Sequence, residues 1–185
     1  DIAILGYGEE GLSEKGNITV RGSLKDQYSF DEHEGHLRVV ASTTTTTVHG
    51  VRLPSGALTG TTSPKTSENA SLYVFDLSDG SLVASVESFA PEGEEAVSVR
   101  FEDDSLYVCT AKIITFTDPV YFFDLSDYEN ITYTDTGIID GFSSSLVDMG
   151  EGFLLGIGQE NWQYNKVEVY EERDGQVVSV AIYRF

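Results

Sequence analysis

Read for polarity alone, the chain is a succession of short apolar runs in which period two dominates and the period of an amphipathic helix is missing. AVSVRFE (96–102) sets Val97, Val99 and Phe101 against Ser98 and Arg100. HLRVVA (36–41) sets Leu37, Val39 and Ala41 against His36, Arg38 and Val40. Both patterns predict strands whose two faces meet different surroundings. LYVCTA (106–111) does not alternate, and so predicts a strand covered on both sides. Further strands are predicted at LYVFDL (72–77), LVASVESF (82–89), VYFFDL (120–125), ITYTDTGII (131–139), FSSSLVDM (142–149), FLLGIG (153–158), KVEVYEE (166–172) and VVSVAIYRF (177–185). Asp79-Gly80, Pro91-Glu92-Gly93 and Asp103-Asp104 punctuate them as turns. At the front, DIAILGYG (1–8) and NITVRG (17–22) flank the polar turn EEGLSEKG, and YSFDEHEGHLRVVAST (28–43) reads as two strands about a turn at Glu34-Gly35. Residues 42–70 hold Pro54, Pro64 and few large apolar side chains, which predicts a long, flexible inserted loop with at most a short hairpin around Val48 to Leu53.

These runs recur. SLYVFDLSDG returns as VYFFDLSDY, with Asp76 and Asp124, and likewise Asp79 and Asp127, 48 residues apart. A degraded third copy, KVEVYEERDG, follows at a step of 47, matching Phe123 to Tyr170 and Asp127 to Asp174. A period near 48 accommodates four strands of about 6 residues with four connections of about 6. The fold class is therefore all-β, with β-propeller blades of four antiparallel strands: about three blades plus extra N-terminal strands, 1–22 being part of a leading blade. A β-sandwich is the rival, but nothing in it demands one motif at a fixed stride. Propellers use about 4 to 8 blades, so 1–185 reads as one domain that is either a minimal ring or an arc of a larger one. The abrupt start at Asp1 favours the arc, cut from a longer precursor.

Composition narrows the partners. The chain has 185 residues and a net charge of -20, with 31 acidic side chains spread through the turns and 11 basic ones. Too little positive charge is available to offset a phosphate backbone or an anionic bilayer, which disfavours nucleic acid and direct membrane insertion as partners. No run of 18 apolar residues occurs. The single cysteine, Cys109, falls in an apolar run and predicts a buried strand position without a disulfide.

Several of these stretches also carry a resemblance. YSFDEHEGHLRVVAST, APEGEEAVSVRFEDDSLYVCT, TDPVYFFDLSDYENI, DGFSSSL and LLGIGQE, in that order, resemble landmarks of secreted bacterial and archaeal proteins with a C-terminal β-propeller domain distantly related to WD repeats. The resemblance covers most of 22–160. It departs at KIITFT before Asp118 and at LVDMG after Ser145, where the family has a His-Pro turn. It implies export and a propeller displayed outside the cell or in its envelope, and it implies no reaction.

Candidate chemistry is sparse. Asp31, Glu32, His33, Glu34 and His36 are the densest set of possible metal ligands, and carboxylates of this kind suit Ca²⁺ better than Zn²⁺. The competing reading is a solvated acidic turn anchored by Phe30 and Leu37, with no cofactor. Asp76, Asp79, Asp124 and Asp127 read as turn formers whose carboxylates accept backbone N–H groups. Trp162, Tyr164 and Tyr170, with the amides of Gln159, Asn161 and Gln163, would make a stacking platform for a sugar, against the alternative of rim packing. Asn17, Asn69 and Asn130 begin acceptor triplets for N-glycosylation. No nucleophile elbow, phosphate loop or paired-cysteine motif occurs. The expected function is a non-catalytic extracellular module presenting loops to a protein or glycan, the alternatives being a hydrolase using Asp31, Glu32 or Glu34, or a purely structural envelope module.

Overall fold

The computed structural model describes residues 1–47, 51–56, 58–59, 65–111, 119–136, 141–160, 163–173 and 176–185. Three four-stranded antiparallel sheets follow one another along the chain. The first holds β3 (Phe30–His33), β4 (His36–Thr47), β7 (Lys65–Asp76) and β8 (Leu82–Val86). The second holds β9 (Glu95–Glu102), β10 (Ser105–Ala111), β11 (Val120–Asp124) and β12 (Thr132–Asp135). The third holds β13 (Phe142–Gly150), β14 (Phe153–Glu160), β15 (Tyr164–Arg173) and β16 (Gln176–Arg184). Each is a meander, in which strand order in space repeats strand order in sequence.

Ahead of them, β1 (Ile2–Gly8) and β2 (Gly11–Ile18) form a hairpin closed by Glu9-Glu10. The second strand therefore begins well before NITVRG. Its polar, exposed sequence hides it from a pattern search, because only one end of the hairpin reaches the core.

The repeat has a direct counterpart in backbone bonding. Leu77 N–H donates to the Gly35 carbonyl at 2.9 Å, Leu125 N–H to Asp104 at 2.8 Å, and Glu172 N–H to Gly152 at 2.8 Å. All three bonds tie the end of a third strand to the turn between the first and second strands of the same sheet. The turn residues Glu34, Asp103 and Glu151 all take positive φ (49°, 43° and 55°). Asp76 Oδ1 accepts from Ser78 N–H and Asp124 Oδ1 from Ser126 N–H, as turn chemistry predicts. Asp79 and Asp127 accept from Ser81 and Glu129 N–H. Asp174 lies outside the described residues.

Three apolar layers separate the sheets. Ile2, Ile4 and Ile18 of the hairpin pack on Leu37, Val39, Tyr73 and Phe75, the near face of the first sheet. Its far face, with Val40 and Leu72, packs on Leu106, Val108, Tyr121 and Phe123 of the second. The second sheet's far face, with Tyr107, Cys109, Val120 and Phe122, packs on Leu154 and Tyr170 of the third. Phe75, Phe123 and Tyr170, matched by the repeat, thus each face the layer that precedes their own sheet. This is sheet-against-sheet packing in sequence order, as in successive blades. β10 is buried on both faces, and Cys109 with it.

Two expectations need correction. Residues 42–70 are not simply a loop: Thr43 to Thr47 pair with Asn69 to Lys65, extending β4 and β7 into a long ribbon. Consecutive β-branched threonines favour extended backbone even without an apolar face to bury. A small hairpin, β5 (Val51–Arg52) and β6 (Leu58–Thr59), lies in this region, while 48–50 and 60–64 are outside the described residues. In β9, Val97 is the extra residue of a bulge opposite Cys109 and Thr110. It packs on the layer before the third sheet, whereas Val99 and Phe101 join the layer after the first, so the strict alternation of AVSVRFE fails there.

Candidate binding cleft

The residues proposed for a metal go to separate partners. Asp31 pairs with the buried Arg38, and Glu32 Oε1 accepts from Gly35 N–H at 3.0 Å. His33 Nε2 lies 3.4 Å from Asp104. The His36 ring meets Tyr128 edge to face at 4.9 Å, and Glu34 occupies the positive-φ turn. No three His, Cys, Asp or Glu side chains among the described residues are placed to hold a metal ion. Leu37 is buried as expected, but Phe30 is 40% exposed and anchors little.

What the acidic segment does in this fold is join two sheets. Arg38, 1% exposed, donates through Nη1 to the Asp103 carbonyl and lies 5.0 Å over the Phe101 ring. Together with His33 and His36 it pins the β3–β4 hairpin to the turns of the second sheet. Arg38→Met removes a charge-assisted hydrogen bond and a cation–π contact, and is expected to cost about 2 kcal/mol. Urea unfolding of the variant checks this.

Of the residues named for a carbohydrate platform, Asn161 and Trp162 lie outside the described residues. Gln159 is paired with Asn165 and Tyr164 with Glu160, so Gln159 and Tyr164 point to opposite faces of the third sheet. Tyr170 is buried, and burial beside Glu168 raises its hydroxyl pKa well above the usual tyrosine range. Of the glycosylation triplets, Asn69 spends its side chain on the backbone of Ala70 and Ala90.

A concave site does form, and it was not legible from motifs. The edge strands β9 and β13 and the segment just before β3 converge, leaving a cleft of about 380 Å³. Asp26 and Tyr28 line one wall, Ser98 to Arg100 of β9 another, and Ser144 to Val147 of β13 the third. Asp26 caps the short 3-10 turn Gln27–Ser29: its Oδ1 accepts from Tyr28 N–H at 2.9 Å, while Ser29 Oγ accepts from Asp26 N–H at 3.2 Å. That reciprocal cap holds Tyr28 outward, 56% exposed. In β13 a bulge between Ser143 and Ser145 leaves Ser144 out of the ladder, its Oγ donating to the Ile157 carbonyl. Gly158 permits this approach, because a Cβ there would come within 1.7 Å of the Phe142 carbonyl oxygen. Arg100 Nη2 lies 2.9 Å from Glu102, while its buried Nε has no hydrogen-bond partner among the described residues. The cleft thus combines an aromatic ring, hydroxyls, one guanidinium and the open edges of strands, which can hydrogen-bond to an extended ligand.

A second feature also went unseen. In the third sheet Lys166 and Glu168 are buried and paired at 2.7 Å. Tyr170 OH donates to Glu168 at 3.0 Å, Ser143 Oγ lies 3.1 Å from Tyr170 OH, and Ser179 Oγ donates to Glu168. The repeat places Tyr73 and Tyr121 at the position of Glu168, so a charge stands where the other two sheets have an aromatic ring.

Comparison with known proteins agrees with this architecture. The model of the beta propeller domain family matches residues 1–183. An uncharacterized protein of Archaeoglobus fulgidus is 31% identical over 149 residues, 80% of this chain and 20% of its own length. An uncharacterized protein of Methanocaldococcus jannaschii is 28% identical over 155 residues, 84% of this chain and 22% of its own. The chain therefore spans about a fifth of these curated relatives. No helix among the described residues is long and apolar enough to cross a membrane. With its stride, its stacked sheets and the family match in agreement, the chain belongs to the β-propeller domain family.

Proposed function

We propose that the chain is a non-catalytic binding module, displayed outside the cell or in its envelope, whose cleft between β9, β13 and the segment before β3 takes a segment of a protein or glycan partner. The observation that carries this reading is the cleft itself. It offers Tyr28 for stacking, Ser98, Ser145 and Arg100 among its polar wall residues, and edges of β9 and β13 that pair with no further strand among the described residues. The carboxylates that a hydrolase would draw on serve structure instead, Asp31 on Arg38 and Glu32 on a turn amide. Display outside the cell rests on the family resemblance alone.

The test is a screen of the purified chain against peptide and glycan arrays, followed by titration of the hits. Tyr28→Ala and Arg100→Ala are each expected to weaken binding at least tenfold, whereas Tyr164→Ala, on the near face of the third sheet, leaves it unchanged. Ligands that bind both cleft variants as tightly as the parent, or turnover on a substrate panel abolished by Asp31→Asn, would overturn the reading.

A further inference from the structure

Of the acceptor triplets for N-linked sugars that begin at Asn17, Asn69 and Asn130, one stands clear of the fold. Asn69 does not: its side chain is bonded to the backbone of Ala70 and Ala90, and the hydroxyl two residues on belongs to Ser71, which is 2% exposed and accepts from Ser88 N–H. A sugar on Asn69 would break these bonds, so a folded chain has no room for one. At Asn17 the side chain is exposed, but the residue pairs with Ala3 inside the β1–β2 hairpin, and the Thr19 hydroxyl is spent on Asp1 at 2.6 Å.

Asn130 differs from both. It ends the short 3-10 turn Tyr128–Asn130 between β11 and β12, where its N–H donates to the Asp127 carbonyl at 3.0 Å and the Asp127 side chain accepts from Glu129 N–H. Ile131 packs against the layer between the first and second sheets, which leaves Asn130 and Thr132, on either side of it, exposed. No hydrogen bond engages either side chain among the described residues. The second sheet has a sheet of this chain against each face, so this exposure at its outer edge exists with both neighbours in place. An Asn-Ile-Thr triplet held open on such a turn is what an N-linked glycan requires of an exported chain.

We infer that Asn130 carries an N-linked glycan, taken from an oligosaccharide bound to a lipid phosphate. Nδ2 forms a bond to the anomeric carbon, the bond from that carbon to the phosphate oxygen breaks, the phosphate leaves with the electron pair, and Nδ2 gives up one proton. The inference rests on the reading of the chain as one displayed outside the cell, since export brings it to such a donor. The sugar flanks Tyr133, 44% exposed, on an edge strand that pairs on its outer side with no strand among the described residues. Its bulk and hydration there oppose pairing with a strand of another chain. The edge of β9 that lines the cleft is three strand spacings away, about 14 Å, so the cleft stays open.

The test takes the full-length protein from the cells that make it, recovers cytoplasm apart from envelope and medium, and sequences the peptides spanning Asn69 and Asn130 by mass spectrometry with sugars left in place. In protein from outside the cell, most copies of the Asn130 peptide are expected to be heavier by an oligosaccharide, and the Asn69 peptide to have its unmodified mass. Asn130→Gln and Thr132→Ala each remove the added mass, and Thr132→Ser keeps it in part, while circular dichroism stays close to the parent. Protein outside the cell with Asn130 bare, or a sugar on Asn130 that persists in Thr132→Ala, overturns the inference and leaves the binding-module reading standing. Protein confined to the cytoplasm with Asn130 bare overturns the inference and the display reading together.

Discussion

Glu168→Ala is expected to lower stability by about 3–5 kcal/mol, the largest effect of any single replacement considered for this chain. The side chain is 1% exposed, and its loss strips a carboxylate partner from the buried Lys166 ammonium and an acceptor from Tyr170 and Ser179. Against a domain stability of about 5–15 kcal/mol, such a loss brings the fold close to its limit. Replacing both members of the pair, Lys166→Met with Glu168→Leu, removes the charges together and is expected to restore at least half of the loss, since a buried pair gains little over apolar side chains of like volume. Urea unfolding of the two variants checks this. If the single change costs under about 1 kcal/mol, the pair is already hydrated in the native state.

Alkaline unfolding is the second large effect. Burial, reinforced by Glu172, Glu94 and Glu168 respectively, raises the hydroxyl pKa of Tyr107, Tyr121 and Tyr170 above the ordinary 10.0. A tyrosine with a raised native pKa holds its proton more tightly in the fold than in the unfolded chain. Its contribution is complete below pH 10 and is lost as pH climbs from there toward the native value, by up to about 1.4 kcal/mol per pH unit for each group. Three such groups make the fold fail in one cooperative step above pH 10. Phenolate absorbance and far-ultraviolet circular dichroism, followed together, should change in step for these three, after the exposed tyrosines such as Tyr7 have titrated smoothly. All ten tyrosines ionising with the sheets intact would contradict the burial of these rings. At the acid end the Ser78 and Ser126 bonds hold Asp76 and Asp124 below the usual carboxylate value, so their smaller contribution is present above about pH 4 and is lost as pH falls through the lowered native pKa.

The strands that were easiest to read are those whose side chains meet two different environments or none but protein. β10 and β11 lie in the middle of their sheet with layers on both sides, and their unbroken apolar runs say so. β2 and the Thr43–Thr47 ribbon were missed because their backbones are satisfied by a neighbouring strand while the side chains of Thr44 to Thr46 and most of those of β2 face water. Nothing in polarity marks such a strand, and only β-branching hints at it. The acidic segment Asp31 to His36 shows the same limit for chemistry. Its residue types suit a metal, but a strand sends neighbouring side chains to opposite faces, and Arg38 and the second sheet's turns then claim them separately.

The stride of 48 and then 47 residues, the turn aspartates and the absence of helical periodicity are local properties, and they alone determined that four-stranded units recur in this chain. The cleft, the Arg38 bridge and the buried pair of the third sheet were decided only by the tertiary structure. Each joins residues from different sheets or adjacent strands, tens of positions apart or on a face that linear spacing does not reveal. Their geometry follows from how the sheets stack and where bulges shift the register, and those are set by the packing of whole faces, a cooperative property that no single stretch of sequence carries.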